Sequence, residues 1–149
     1  MQWKIKRFKE LTINEFHNIL QLRIDVFVVE QNCPYPELDG KDKFAWHFFA
    51  FAEDDPEKIT ADTRIFKPGD YYDQPAIGRV VVHPGFRGNN LGHELVKRSL
   101  RTVQELFNTS EVKIGAQTYL KTFYKSHGFK QTGKGYLEDG IPHIHMIRK

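Results

Sequence analysis

The stretch "VVVHPGFRGNNLGHELV", Val80 to Val96, passes from a β-branched run through a turn crowded with Gly and Asn into a helical pattern. Reversing a chain takes one or two turn-forming residues, yet Arg87, Gly88, Asn89, Asn90 and Gly92 all stand where this helix begins. A helix N-terminus offers N–H groups without intrahelical partners and the positive end of a dipole, which suits phosphate oxygens. Gly88 and Gly92 have no Cβ to keep a ligand off the main chain. Asn90 tolerates a left-handed conformation, and Arg87 adds a fixed cation with bidentate geometry. The pattern fits a pyrophosphate. A tight strand-to-helix turn with Arg87 on the surface is the alternative that spacing leaves open. Other phosphate loops are excluded, because no G-x-x-x-x-G-K-[ST] occurs and Gly133 and Gly135 do not extend into G-x-G-x-x-G.

Before this stretch, Trp3 to Phe8 alternates like a half-buried strand, and "TINEFHNILQLRIDVF" reads as a helix. Thr12 and Glu15 form an S/T-x-x-E capping box, and Ile13, Phe16, Ile19, Leu20 and Phe27 supply an apolar stripe. Two prolines and a glycine make Asn32 to Asp42 an ordered, irregular loop. Ala45 to Ala52 and Ile59 to Phe66 read as strands, and the aromatic cluster Trp46, Phe48, Phe49 and Phe51 reads as core. "AIGRVVVHP" is a strand covered on both faces. After it comes a helix with Leu91, Leu95, Val96, Leu100, Val103, Leu106 and Phe107 on one face. "EVKIGAQ" is a strand, "YLKTFYKSHGF" a short helix closed by Gly128, and the end a hairpin around Asp139-Gly140. The order β-α-β-β-β-α-β-α-β-β predicts a mixed α/β (α+β) sheet of about seven strands with helices on both faces.

The chain of 149 residues fits one domain, residues 1–149, with a substantial core. A formal charge of +3 from 22 basic and 19 acidic residues is too even to argue for nucleic acid, while leaving room for a local cationic pocket. No apolar run approaches the roughly 20 residues that span a bilayer. The first residues lack a signal-peptide core, and the single Cys33 excludes an intramolecular disulfide. These features predict a cytoplasmic setting without membrane or nucleic-acid partners.

"RGNNLG" after "GRVVVHPGF" resembles the [QR]-x-x-G-x-[GA] signature of the GNAT superfamily of N-acetyltransferases, and "GAQTYLKTFYKSHGF" resembles its following block. The longer strings "LQLRIDVFVVEQNCPYPELDG" and "EDGIPHIHM" are similar to the ElaA-like branch. Asn90 departs from the signature's first Gly, at modest conformational cost.

The resemblance implies that acyl-CoA lies where two central parallel strands splay, Ala76 to His83 and Val112 to Gln117. Main-chain groups of Val80, Val81 and Val82 would face pantetheine, and Arg87, Gly88, Asn89, Asn90, Leu91 and Gly92 would hold the pyrophosphate. It implies transfer of an acetyl group from acetyl-CoA to an amine by direct attack, with Tyr124 as general acid. Gln117 would orient CoA or a nearby loop, or else satisfy loose backbone groups at the strand end. The expected strand carboxylate is missing from "AIGRVVVHP", so Glu30, His143 and His145 are the candidates for base or acceptor contact. His143 and His145 share a strand face; with no third ligand, no metal is expected. Cys33 lacks a neighbouring base and reads as packing, His83 as a turn residue. Arg23, Glu30 and Gln31 line the acceptor side or bridge the first helix to the Asp39–Asp42 loop. A non-catalytic acyl-CoA-binding module is the competing reading, and the exposed sheet edges leave a homodimer open. The acceptor and the length of the acyl chain are not legible.

Overall fold

A computed structural model describes residues 1–149. Seven strands form one sheet in the order β1-β2-β3-β4-β5-β7-β6. They are β1 (Gln2–Arg7), β2 (Trp46–Ala52), β3 (Asp55–Phe66), β4 (Ala76–Val82), β5 (Val112–Gln117), β6 (Phe129–Glu138) and β7 (Ile141–Arg148). All neighbours are antiparallel except β4 and β5, which are parallel. The Asp139-Gly140 hairpin has φ of 50° and 77°, the pair of positive values that a type I′ turn requires. β3 begins earlier than its sequence pattern suggests, because the polar residues from Asp55 to Lys58 still pair or lead into the ladder with β2.

Helix α1 (Ile13–Ile24) covers one face and α2 (Leu91–Phe107) the other. Alternation along β2 sorts the layers. Phe49 joins Ile19, Leu22 and Val26 under α1, while Phe48 and Ala50 join Leu95, Val96 and Val103 under α2. The short α3 (Lys121–Lys125) adds Tyr124 to the second core. Thr12 and Glu15 make the expected reciprocal cap, at 3.0 and 2.9 Å. Partial burial opposes ionisation of Glu15, but hydrogen bonds from Lys6, Thr12 and Lys4 pull its carboxyl down to about 2.

Two stripe residues differ from expectation. Ile13, at the first turn of α1, is 90% exposed, and Leu106, in the last turn of α2, is 39% exposed. Both lie in terminal turns of their helices. The inward face of α1 carries Arg23 instead, which is wholly buried. Beyond Ile24 the helix widens into π geometry over Asp25–Glu30, so the spacing of Phe27 no longer follows a 3.6-residue period.

Arg23 anchors a buried ionic network. Its Nε donates to Glu37 Oε2 at 2.6 Å and its Nη1 to Asp42 Oδ1 at 2.7 Å. Arg64, on β3, donates to Asp39 at 2.8 and 3.0 Å, and Arg79, on β4, donates to both Glu37 oxygens at 2.9 and 3.0 Å. Three guanidiniums thus meet three carboxylates. A fourth carboxyl, Asp62, is fully buried and neither oxygen has a hydrogen-bond partner; Arg64 Nε and His47 Nδ1 are likewise unpartnered. Burial pushes the Asp62 carboxyl well above the ordinary carboxylate range, against the pull of Arg23 and Arg64. A neutral Asp62 leaves the network balanced.

Glu37 and Asp42 each keep a second guanidinium without Arg23, but the buried network is left one positive charge short, so Arg23→Met is expected to lower stability in urea unfolding by about 3–5 kcal/mol. Asp62→Asn has the opposite character. The folded state holds a proton on Asp62 that the unfolded state, with a pKa of about 3.9, releases. Its favourable contribution is therefore complete below that pH and lost as pH rises through the raised folded value. Relative to the native chain, Asp62→Asn should gain stability steadily as unfolding is measured from pH 4 to pH 8. A pH-independent difference would refute a protonated Asp62.

Candidate active site

The parallel pair β4–β5 touches at one register position, Ala76↔Lys113, with Lys113 N–H also donating to the Pro75 carbonyl at 2.9 Å. Past that point the strands part. A β-bulge starts the divergence, for on β4 the register with β3 moves from Val81↔Asp62 to Gly78↔Arg64, one residue too many. Arg79 takes up the excess at φ 51°, a left-handed conformation that costs a residue with a Cβ. Its guanidinium is held by Glu37, and Thr63 Oγ1 ties the Gly78 carbonyl at 2.9 Å.

Two cavities flank the opening and share Phe27, Gln31, Val80, Gln117, Leu120 and Tyr124. The larger, about 670 Å³, runs along Val80, Val81 and Val82 to Arg87, Gly88 and the start of α2. Asn90 precedes that helix at φ 59°, left-handed as its place in the turn requires, and its side chain caps nothing. The N–H groups of Leu91, Gly92 and His93 therefore have no partner within the helix. A Cβ on Gly92 would sit 3.7 Å from Phe123 and 3.9 Å from Val82, filling the cavity rather than clashing. Asn89, included in the loop from its sequence, does not line the cavity.

Arg87 Nη1 meets Glu30 Oε2 at 2.7 Å, with both side chains well exposed. The hydrogen bond from Arg87 holds the Glu30 carboxyl below its ordinary range. Glu30 lines the larger cavity and not the smaller one. While that contact holds, Glu30 is a weak proton acceptor, and it stands along the larger cavity beside Arg87. A sequence separation of 57 hid the contact from sequence reading.

The smaller cavity, about 280 Å³, is lined by polar groups that include Asp39, Lys41, Arg79, Glu138 and His143. His143 Nδ1 lies 2.7 Å from the Ile141 carbonyl, to which it donates, leaving Nε2 toward Glu138 Oε2 at 3.3 Å. His145 shares its strand face but packs between Tyr72 and Tyr136 and lines neither cavity. Burial, with Lys113 nearby, lowers its pKa. Those features keep the His145 ring away from both cavities.

Tyr124 is 6% exposed, stands at the waist between the cavities, and burial pushes its phenol well above the ordinary tyrosine range. Burial therefore keeps this hydroxyl protonated at the waist. Gln117 Nε2 donates to Gln31 Oε1 at 3.2 Å across the same waist. Cys33 is buried with its thiol 3.4 Å from the Asp139 carbonyl, and His83 caps its own turn through Gly85 N–H at 3.0 Å. Arg23 bridges α1 to the loop and does not line a cavity. Lys41, Tyr71, Arg79 and Glu138 escaped sequence reading. Glu138 opens the string "EDGIPHIHM", the one local signal that pointed near it.

Comparison with known proteins agrees with this geometry. The acetyltransferase (GNAT) domain pattern matches residues 52–149. Protein ElaA of Escherichia coli K12 is 38% identical over 151 residues, covering 100% of this chain and 97% of that one, and its crystal structure superposes with a TM-score of 0.89 at full coverage of both chains. The crystal structure of an acyl-CoA N-acyltransferase from Pseudomonas aeruginosa superposes with a TM-score of 0.92 at 39% identity, again over 100% of both chains. The NatC complex bound to Gag peptide and CoA shares the fold, with a TM-score of 0.69 at 16% identity over 99% of this chain and 98% of that one. With a domain match over most of its length and relatives matched end to end, the chain belongs to the GNAT acetyltransferases, in their ElaA-like branch.

Proposed function

We propose that this acyltransferase moves an acetyl group from acetyl-CoA to an amine, with the cofactor in the larger cavity and the amine in the smaller one. The observation that carries this reading is the parting of β4 from β5, which leaves two cavities meeting at a buried phenol. On its β5 side the main chain of Val80 to Val82 is unpaired, and pantetheine amides would complete it as an added strand. The uncapped first turn of α2 would take the pyrophosphate, with Arg87 exchanging its exposed contact to Glu30 for a phosphate oxygen. The NatC complex, which has the same fold, is bound to CoA, and this supports a CoA-type donor for the present chain.

In the transfer the amine nitrogen attacks the thioester carbonyl carbon, an N–C bond forms, and the C–S bond breaks. The departing sulfur takes its proton from the Tyr124 hydroxyl. The nitrogen loses a proton to His143 Nε2, and Glu138 then accepts a hydrogen bond from the protonated ring. Exchange with solvent through the smaller cavity returns the proton to Tyr124. The products are the amide and CoA-SH.

Calorimetric titration with acetyl-CoA and CoA tests the cofactor site. The native chain should bind both, and an Arg87→Ala, Gly92→Val double variant should bind at least about tenfold more weakly. No binding by the native chain would remove the cofactor from this reading. Tyr124→Phe keeps the packing and removes the acid. Turnover, followed by thiol release, should fall by about 10²–10⁴-fold with acetyl-CoA affinity intact. Unchanged turnover would refute Tyr124 as acid, and a chain that binds acetyl-CoA yet acylates no amine would be a binding module.

A further inference from the structure

The smaller cavity holds more charge than the transfer of a proton requires, and most of that charge is committed elsewhere. Arg79 is chelated by Glu37, and Asp39 is bonded to Arg64. Two features remain. One is the Glu138–His143 pair at 3.3 Å, with Glu138 about half exposed. The other is Lys41, whose ammonium has no ion pair and stands 5.4 Å from the centre of the Tyr71 ring.

An acceptor that fills the cavity takes water away from both. The carboxylate–imidazole pair is matched by the acceptor's own ammonium, whose extra proton leaves to solvent by way of His143 before the attack, so that His143 is free to take the second proton during it. Lys41 is matched only by an anion. A plain alkylamine would leave this ammonium desolvated over Tyr71 with nothing to answer it, and a polyamine would add like charge beside it. At about 280 Å³ the space lies at the lower end of small-molecule sites, so the acceptor is compact. Building on the acetyl-transfer reading above, we propose that this cavity takes a compact primary amine carrying an anionic group, an amino acid or close analogue, with Lys41 holding the anion while the amine reaches the waist at Tyr124.

The test is a matched panel with acetyl-CoA as donor, read by thiol release. Each amino acid is assayed beside its carboxamide and its decarboxylated amine. A short peptide with a free N-terminus serves as the arm without a nearby anion. The acids should exceed their neutral partners in kcat/KM by about tenfold or more, mainly through KM. Lys41→Gln should reduce that ratio to near one, Lys41→Arg should keep it, and Lys41→Glu should turn the preference toward diamines. Acetyl-CoA affinity, measured on the same samples, reports that each variant is folded.

Equal turnover of acids, amides and amines, or a preference for the peptide, would overturn the assignment of Lys41 and leave acetyl transfer standing. An acid preference that survives in both Lys41→Gln and Lys41→Glu would also overturn it. Turnover of no amine in any series, with acetyl-CoA bound, would overturn this inference together with the reading on which it rests.

Discussion

The site exists because two neighbouring parallel strands fail to stay paired. A ladder begun at Ala76↔Lys113 would ordinarily continue, since each further register position adds hydrogen bonds at little entropic cost. The bulge at Arg79 prevents this by turning β4 away, at the expense of a left-handed residue with a side chain. Such strain persists only where the surroundings over-determine it. Here the determinants are visible. Glu37 grips the Arg79 guanidinium, the same carboxylate is bonded to Arg23 of α1, and Thr63 fixes the carbonyl just before the bulge. The network that fastens α1 to the sheet is therefore also the clamp that keeps the strands apart.

This clamp explains why the two layers differ in chemistry. The α2 side is apolar from Leu91 to Val103 and packs by shape. The α1 side mixes the apolar set around Ile19 and Phe49 with buried arginines and carboxylates. An ionic network buried this deeply adds little net stability over an apolar equivalent. What it adds is geometry, because guanidinium–carboxylate contacts fix direction as well as distance. The neutral Asp62 fits the same logic, since a fourth ionised carboxylate would leave excess charge where nothing compensates it.

Much of the frame was legible in the sequence because its determinants are local. The Thr12–Glu15 cap, the Val80–Val82 run, the Asn90 turn and the Asp139-Gly140 hairpin each act over a few residues. The ionic network was not legible, because Glu37, Asp39 and Asp42 sit in an irregular loop without a period, and their partners lie on α1, β3 and β4. The same limit applied within the site. Alternation placed His143 and His145 on one face, but the cavity reaches only His143, which pairs with Gln117 at the end of β5 nearest the opening. Two residues farther along β7, His145 pairs with Gly115, whose missing Cβ admits the Tyr136 and Tyr72 hydroxyls, and those rings enclose it. Only the divergence of the strands separates these histidines, and no local pattern encodes it.

The composition of the waist has a consequence for the order of events. Of the six residues common to both cavities, Phe27, Val80 and Leu120 are apolar, Gln31 and Gln117 are neutral amides spent on each other, and Tyr124 is a phenol that burial keeps protonated. None can compensate a cation. An ammonium pushed to this point would lose its hydration without gaining a counter-charge, whereas a neutral amine crosses without that penalty. The charged groups line the cavities on either side, Arg87 with Glu30 along the larger and Lys41 with Glu138 along the smaller. On the proposed reading the acceptor sheds its proton before it meets the thioester, and the reactive form is selected by the absence of charge at the meeting point as much as by any base beside it.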